Sequence, residues 1–240
     1  PEKAVQESRE RVRSALVNSG CEFPTRRITC NLAPADLPKE GSRFDLPIAL
    51  GILAASGQAD DHRFEEFEFI GELSLSGKLK PVRGILPVAI RARAARRGLV
   101  VPVDCGAEAA LAGGKRTYCA DSLLSVVGWL QGDAPLRRAE PGRRATKTRV
   151  ADLAEVQGQA RARRALEIAA AGAHNLLMSG PPGTGKTMLA SRLPGILPPM
   201  TTKQALESAS INSISNHGFN LEQWKQRPFR NPHHTASGVA

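Results

Sequence analysis

Apolar positions recur at helical spacing from Lys3 to Val17, where Val5, Val12 and Leu16 fall on one face. Arg27 to Leu32 reads as a strand. Leu46 to Ala55 is apolar all round, the pattern of a helix buried within a domain. Phe67 to Leu75 predicts another strand and Gly77 a turn. Gly84 to Arg97 predicts a helix with arginines on its polar face and Gly98 as its cap. Leu99 to Val103 is a short buried strand, and helices follow near Glu108 and over Ser122 to Leu130. The mixture predicts an α+β domain over residues 1–131.

The pattern then fails. Residues 132–149 are rich in Pro, Gly and Arg without apolar periodicity, which predicts an exposed basic linker. Periodicity returns in 150–240. Gln159 to Ala171 predicts a helix stopped by Gly172, Asn175 to Ser179 a short strand, and Met188 to Leu193 a helix ending at Pro194. The second domain is therefore expected to be α/β.

Between that strand and helix lies Gly180-Pro181-Pro182-Gly183-Thr184-Gly185-Lys186-Thr187, followed by Met188, which satisfies G-x-x-x-x-G-K-[ST]. Glycines let the backbone turn its N–H groups inward, and the following helix adds the positive end of its dipole. Lys186 is expected to reach the β- and γ-phosphates of a nucleoside triphosphate and the Thr187 hydroxyl to bind magnesium. No N-K-x-D guanine-reading motif is present, so the expected ligand is ATP with Mg2+. Beyond Thr187 the only acidic residues are Glu207 and Glu222, and neither ends an apolar strand. No catalytic acid is therefore assigned, and this chain alone is expected to bind nucleotide poorly or to hydrolyse it negligibly.

Charge changes the picture of the partners. The chain of 240 residues has a formal net charge of +10, gathered in Arg91, Arg93, Arg96 and Arg97, in Arg137 to Arg149, and in Arg161, Arg163 and Arg164. Such patches favour a polyanion, because each neutralised phosphate releases counterions. Arg91, Arg93, Arg96 and Arg97 are the candidate DNA contacts, against the plainer reading of an arginine-rich solvated surface. Hydrophobic residues at 41% are enough for a core, although aromatics contribute only 4%, so Leu, Val, Ile and Ala must fill it. The longest apolar run, Leu46 to Ala55, has about half the length of a membrane-crossing helix and contains Pro47 and Gly51. No membrane partner is expected. Cys21, Cys30, Cys105 and Cys119 form no C-x-x-C pair, which predicts a cytoplasmic protein without zinc or disulfides. The adjacent His233 and His234 are read as part of a loop or hairpin, not as a metal site. The sequence begins at Pro1 without Met, so its natural start is expected upstream.

Several runs resemble one family. Ala169 to Met178, the P-loop, Met188 to Pro198, and the R-P-F-R-x-P-H-H-T-A-S segment from Arg227 to Ser237 are similar to the magnesium-chelatase-like AAA+ ATPases. E-S-R-E-R-V-R from Glu7 to Arg13 and N-L-A-P-A-D-L-P-K-E-G from Asn31 to Gly41 resemble its ComM/YifB branch. The resemblance implies a Lon-protease/ribosomal-S5-like α+β domain, lacking its first strands, joined to an AAA+ domain that ends before its Walker B acid, sensor and arginine finger. Unpaired strand edges and an uncovered apolar face are then expected in 151–240. The segment Asp152 to Gln159 is similar to the one that packs on adenine in AAA+ proteins, with Val156 and Gln157 as contacts. The Lon-like serine position falls on Arg43, with Ser42 one residue early, and the lysine position on Leu86, so proteolysis is not expected. The branch implies a homo-hexameric motor moving DNA branches in recombination and natural transformation. A magnesium-chelatase ATPase subunit for tetrapyrroles and a non-catalytic nucleotide-binding fragment are the alternatives.

Overall fold

In a computed structural model of the chain, residues 3–33, 41–142, 151–216 and 218–230 are described. Helix α1 (Lys3–Asn18) and helix α2 (Asp45–Ala55) lie at the start and pack against each other. Strand β1 (Phe67–Phe69) is followed by the hairpin of β2 (Glu72–Leu73) and β3 (Leu79–Lys80), and then by helix α3 (Ile85–Ala94). Strand β4 (Gly98–Pro102), helix α4 (Gly106–Ala110), strand β5 (Thr117–Ala120), helix α5 (Leu123–Gln131) and strand β6 (Arg137–Arg138) complete this part. The main sheet runs β1-β4-β5-β6; β1, β4 and β5 are parallel, and β6 closes the edge antiparallel. The expected mixture of helix and strand is therefore present, with helical crossovers between parallel strands where the sequence suggested an α+β arrangement.

The remaining elements are helix α6 (Ala160–Gly172), helix α7 (Lys186–Ala190), helix α8 (Leu193–Ile196) and helix α9 (Thr202–Ile214). The chain divides into two compact units. One comprises Pro1–Arg143 with Ala209–Leu221, and the other Arg144–Ser208 with Glu222–Ala240.

The core of the first unit follows from the amphipathic helices. Val12, Ala15 and Leu16 of α1 meet Leu46, Ala49, Leu50 and Leu53 of α2, and Leu123, Val126 and Leu130 of α5 join them, all essentially inaccessible to water. Phe67, Tyr118 and Trp129 stack across the sheet, with Phe67 and Trp129 ring centroids 4.9 Å apart and edge to face. Helix α2 is buried on one face only, since Gly51 and Ala55 are exposed. The all-round apolar pattern overstated its enclosure.

One charge lies inside this core. The Asp45 carboxylate is fully buried and accepts from the Arg11 guanidinium at 2.9 Å, the Leu73 N–H at 3.2 Å and the Ser8 hydroxyl. The hydrogen bond to Asp45 holds the Arg11 guanidinium still more firmly in its charged form. Two polar residues of the E-S-R-E-R-V-R run thus fix α1 onto α2 through a satisfied buried charge.

Several sequence expectations change. Arg27 to Leu32 is irregular rather than a strand, because no described segment offers it a ladder; it rims a groove of about 970 Å³ against α2. Phe67 to Leu75 is broken at Gly71 into β1 and β2, which belong to different sheets. Gly98 does not cap α3. Ala95 does, and Arg96 follows it in the left-handed region at φ 59°, in a Schellman turn whose Arg97 N–H reaches the Ala92 carbonyl at 2.9 Å. Gly98 instead opens β4, where a Cβ would stand 2.2 Å from the Phe67 ring on the paired strand. Strands β5 and β6 carry no clear alternation, and β6 lies within the stretch read as linker.

Candidate nucleotide site

The second unit is held by a small apolar cluster of Leu153, Val156, Leu166 and Leu189, with Met178, Leu193 and Ile196 half-buried around it. Asp152 starts this region by accepting the Ala154 N–H at 2.9 Å, which caps the 3-10 turn Leu153–Glu155. The turn aims Leu153 and Val156 inward, towards Leu166 of α6 and Leu189 of α7. Arg192 adds a polar strut: it donates to the Met188 carbonyl at 2.8 Å and approaches Glu155 at 3.7 Å.

Above this cluster stands the loop Gly180–Thr187. Gly183 and Gly185 both adopt φ 82°, a region that a Cβ penalises, and Gly185 is the N-cap of α7. Lys186 is the first residue of that helix, and its ammonium folds back over the loop. It donates to the Gly180 carbonyl at 2.7 Å and the Pro181 carbonyl at 2.6 Å, and lies 3.3 Å from Thr184 Oγ1. The Thr184 hydroxyl donates to the Pro181 carbonyl at 3.0 Å. Pro182, Gly183 and Thr187 are exposed, and Met188 is 39% exposed. The loop thus gathers one cation, glycine-dependent turns and a helix start at an accessible surface. These are the features a polyphosphate and its magnesium require of Lys186 and Thr187.

The strand expected before the loop is corrected: Asn175 to Ser179 is irregular, because none of the described residues pairs with it. Leu177, within it, is 93% exposed. Nor is the helix after the loop continuous from Met188 to Leu193. It begins at Lys186, breaks after Ala190 and resumes as α8, which accommodates Pro194 in its first turn. Of the two residues assigned to adenine, Gln157 is exposed while Val156 is only 3% exposed and belongs to the cluster.

Gln159, read as a helix start and as the end of the adenine-like segment but not as a contact, reaches the loop. It occupies φ 52° after Gly158, and its side-chain amide donates to the Thr184 carbonyl at 3.0 Å. A polar residue at a helix cap directly after glycine was the available signal.

The four arginines assigned to DNA separate by partner. Arg97 is engaged by the Phe64 carbonyl at 2.7 Å and Glu68 at 3.0 Å, and Arg93 donates to the Ala112 carbonyl at 2.6 Å. Arg91 and Arg96 are exposed. Leu86, at the Lon-like lysine position, is fully buried; Ser42 donates to the Glu72 carboxylate. His233, His234 and all of Arg143 to Arg149 lie outside the described residues. Among the described residues no group of three or more His, Cys, Asp or Glu could hold a metal ion. Nor, among them, is any helix long and apolar enough to cross a membrane.

Comparison with known proteins agrees with these observations. Residues 1–104 match a family model described as subunit ChlI of Mg-chelatase, and residues 152–240 one described as magnesium chelatase, subunit ChlI. Competence protein ComM of Haemophilus influenzae is 52% identical over 242 residues, covering 99% of this chain and 48% of that protein. YifB of Salmonella typhimurium is 52% identical over 240 residues, covering 100% and 47%, and YifB of Escherichia coli is 50% identical over the same shares. The chain spans about half the length of these relatives. With ChlI models matching both of its halves and half of its positions shared with these relatives from end to end, the chain belongs to the ComM/YifB family of magnesium-chelatase-like AAA+ proteins.

Proposed function

We propose that the chain is the ATP-binding part of a ComM-like AAA+ motor that acts on DNA in the cytoplasm, moving DNA branches as a homo-hexamer. The observation that carries this reading is the Lys186 ammonium, folded into the bend of Gly180–Thr187 against the Gly180 and Pro181 carbonyls. Those acceptors are neutral. A triphosphate offers charged oxygens in their place, and charge-assisted hydrogen bonds are roughly twice as strong as neutral ones. Lys186 then holds the β- and γ-phosphates, the loop N–H groups surround them, and Thr187 supplies a magnesium ligand. Bound ATP brings the hydrolysable phosphoanhydride that would drive the motor. What Lys186 and Thr187 contribute is positioning of the triphosphate and its magnesium. In the first unit the Lon-like segments serve structure, with Arg43 and Leu86 in place of a serine–lysine pair.

Titration of the full chain with labelled ATP and Mg2+ tests the reading. Saturable uptake is expected, weakened about 100-fold or more by Lys186→Ala, which removes the only side-chain cation in the loop. Absence of saturable uptake by the unmodified chain would falsify it. The descriptions of both family models favour a second reading, an ATPase subunit for metal insertion into a tetrapyrrole. Insertion of magnesium into a porphyrin by this chain with partner subunits, and no effect of DNA on ATP uptake, would favour that reading over the first.

A further inference from the structure

Two loops of the first unit enter neighbouring parallel strands and therefore meet at one end of the sheet: the turn from α3 into β4, and the segment from α4 into β5. The first brings Arg93, Arg96 and Arg97, and the second Lys115 and Arg116. Together with Ala89, Ala92, Leu99, Gly114 and Thr117 they line a cleft of about 140 Å³, enough for a tetrahedral anion with its water. The Leu99 N–H donates to the Arg116 carbonyl at 2.9 Å and ties the two loops together.

The cations divide by function. Arg97 pairs with Glu68, and Arg116 pairs with Glu66 at 2.7 Å while lying over the Phe67 ring. These two hold the sheet end in place. Arg93 uses one nitrogen on the Ala112 carbonyl. Arg96 and Lys115 are exposed, and among the described residues neither is held in an ion pair. Arg96 also sits where its backbone suffers: the position after the cap, at φ 59°, is glycine's own, and an arginine there gives up conformational ease for a guanidinium at the cleft.

We infer that this cleft is a phosphodiester-binding site of the first unit, in which Arg96 and Lys115, supported by Arg93, grip a nucleic-acid backbone without reading its sequence. This deepens and rests on the DNA reading above, but locates a contact outside the P-loop unit. It also revises the arginine cluster suggested by sequence: Lys115 enters, Arg97 becomes structural, and Arg91 flanks the site on the last turn of α3.

The backbone geometry supplies an unusual test. Arg96→Gly removes the charge while placing the preferred residue after the cap, so the melting midpoint is expected to stay at or above that of the unmodified chain. Binding of the full chain to a fluorescein-labelled mixed-sequence single-stranded oligonucleotide is followed by anisotropy over a range of salt. Arg96→Gly with Lys115→Ala is expected to weaken binding about 20-fold at low salt. It should also flatten the slope of log affinity against log salt by about 1.4, the share of two single-strand phosphate contacts. Arg9→Ala, an exposed cation on α1, is expected to change affinity less than about twofold, and Arg96→Lys to retain most of it. Equal affinity of the double variant and Arg9→Ala overturns the cleft while leaving DNA binding intact. No salt-dependent binding by the unmodified chain overturns both.

Discussion

Asp45 of the first unit and Lys186 of the second each gather several hydrogen bonds around one charge, yet one is sealed from water and the other lies on an accessible loop. Asp45 accepts from Arg11, Leu73 and Ser8 with none of its surface exposed. Lys186 donates to the backbone carbonyls of its own loop beside exposed neighbours. A buried carboxylate with a charged partner cannot exchange that partner without leaving an uncompensated charge in a low dielectric. An accessible ammonium resting on neutral carbonyls exchanges them for a better acceptor at little loss. The same chemistry thus builds a permanent clamp in one unit and a replaceable one in the other.

Breaking the permanent clamp should have the largest effect. Asp45→Ala leaves the Arg11 guanidinium and the Leu73 N–H without their acceptor, and about 3–5 kcal/mol of stability is expected to be lost. Loss of amide-exchange protection in β4 and β5 under mild denaturant measures it. Asp45→Asn, which keeps the volume and one acceptor, should lose less. A change below about 1 kcal/mol for Asp45→Ala would show that the network does not hold α1 to α2.

A smaller effect comes from pH, because the first unit also encloses a thiol. Burial, with lesser help from Glu108 and Asp104, pushes the Cys105 thiol up from 9.0 to about 11. The folded state therefore keeps a proton that the unfolded state has lost between these values. The neutral thiol's stabilising share is fully present below about pH 9 and is lost as pH rises through about 11, amounting to about 2–3 kcal/mol. Urea midpoints of the first unit should fall between pH 8.5 and 10.5, and Cys105→Ala should reduce that fall. An identical decline in the variant would assign the alkaline sensitivity elsewhere.

How much of this was legible in the sequence follows the same division. Helices α1 and α5 and strand β4 were readable because local pattern and burial agree, as in the wholly buried Gly98–Pro102, while α2 was located by its apolar run although only one of its faces is enclosed. The P-loop was readable because backbone chemistry demands particular residues at fixed spacing. Asn175 to Ser179 was not, since a strand depends on a neighbour that local pattern does not report. Gly98 misled because a glycine after a helix signals a cap, whereas here it makes room for Phe67 across the sheet. Nor could spacing reveal that Arg97 is engaged and Lys115 accessible, or that Ser8 and Arg11 converge on Asp45 from 37 and 34 positions away. Those are facts of tertiary placement, and the candidate site in the cleft is made entirely of them.

The smallest effect should come from Gln159, which separates the replaceable clamp from its support. Its amide holds the Thr184 carbonyl at 3.0 Å, next to the residues whose oxygens meet Lys186. Gln159→Ala removes one exposed neutral hydrogen bond and leaves the apolar cluster of Leu153, Val156, Leu166 and Leu189 untouched. Stability is therefore expected to change by less than about 0.5 kcal/mol, while ATP affinity falls roughly three- to tenfold as the loop loses a tether that preorganises it. Gln159→Glu introduces a carboxylate beside the phosphate position and should weaken ATP further, by repulsion as well as by the lost donor. Measuring both variants by labelled-ATP titration at two salt concentrations separates the two contributions, because only the repulsive one is screened. Unchanged affinity in both would mean that the glycines and Lys186 alone set the loop, and that the contact from Gln159 is incidental.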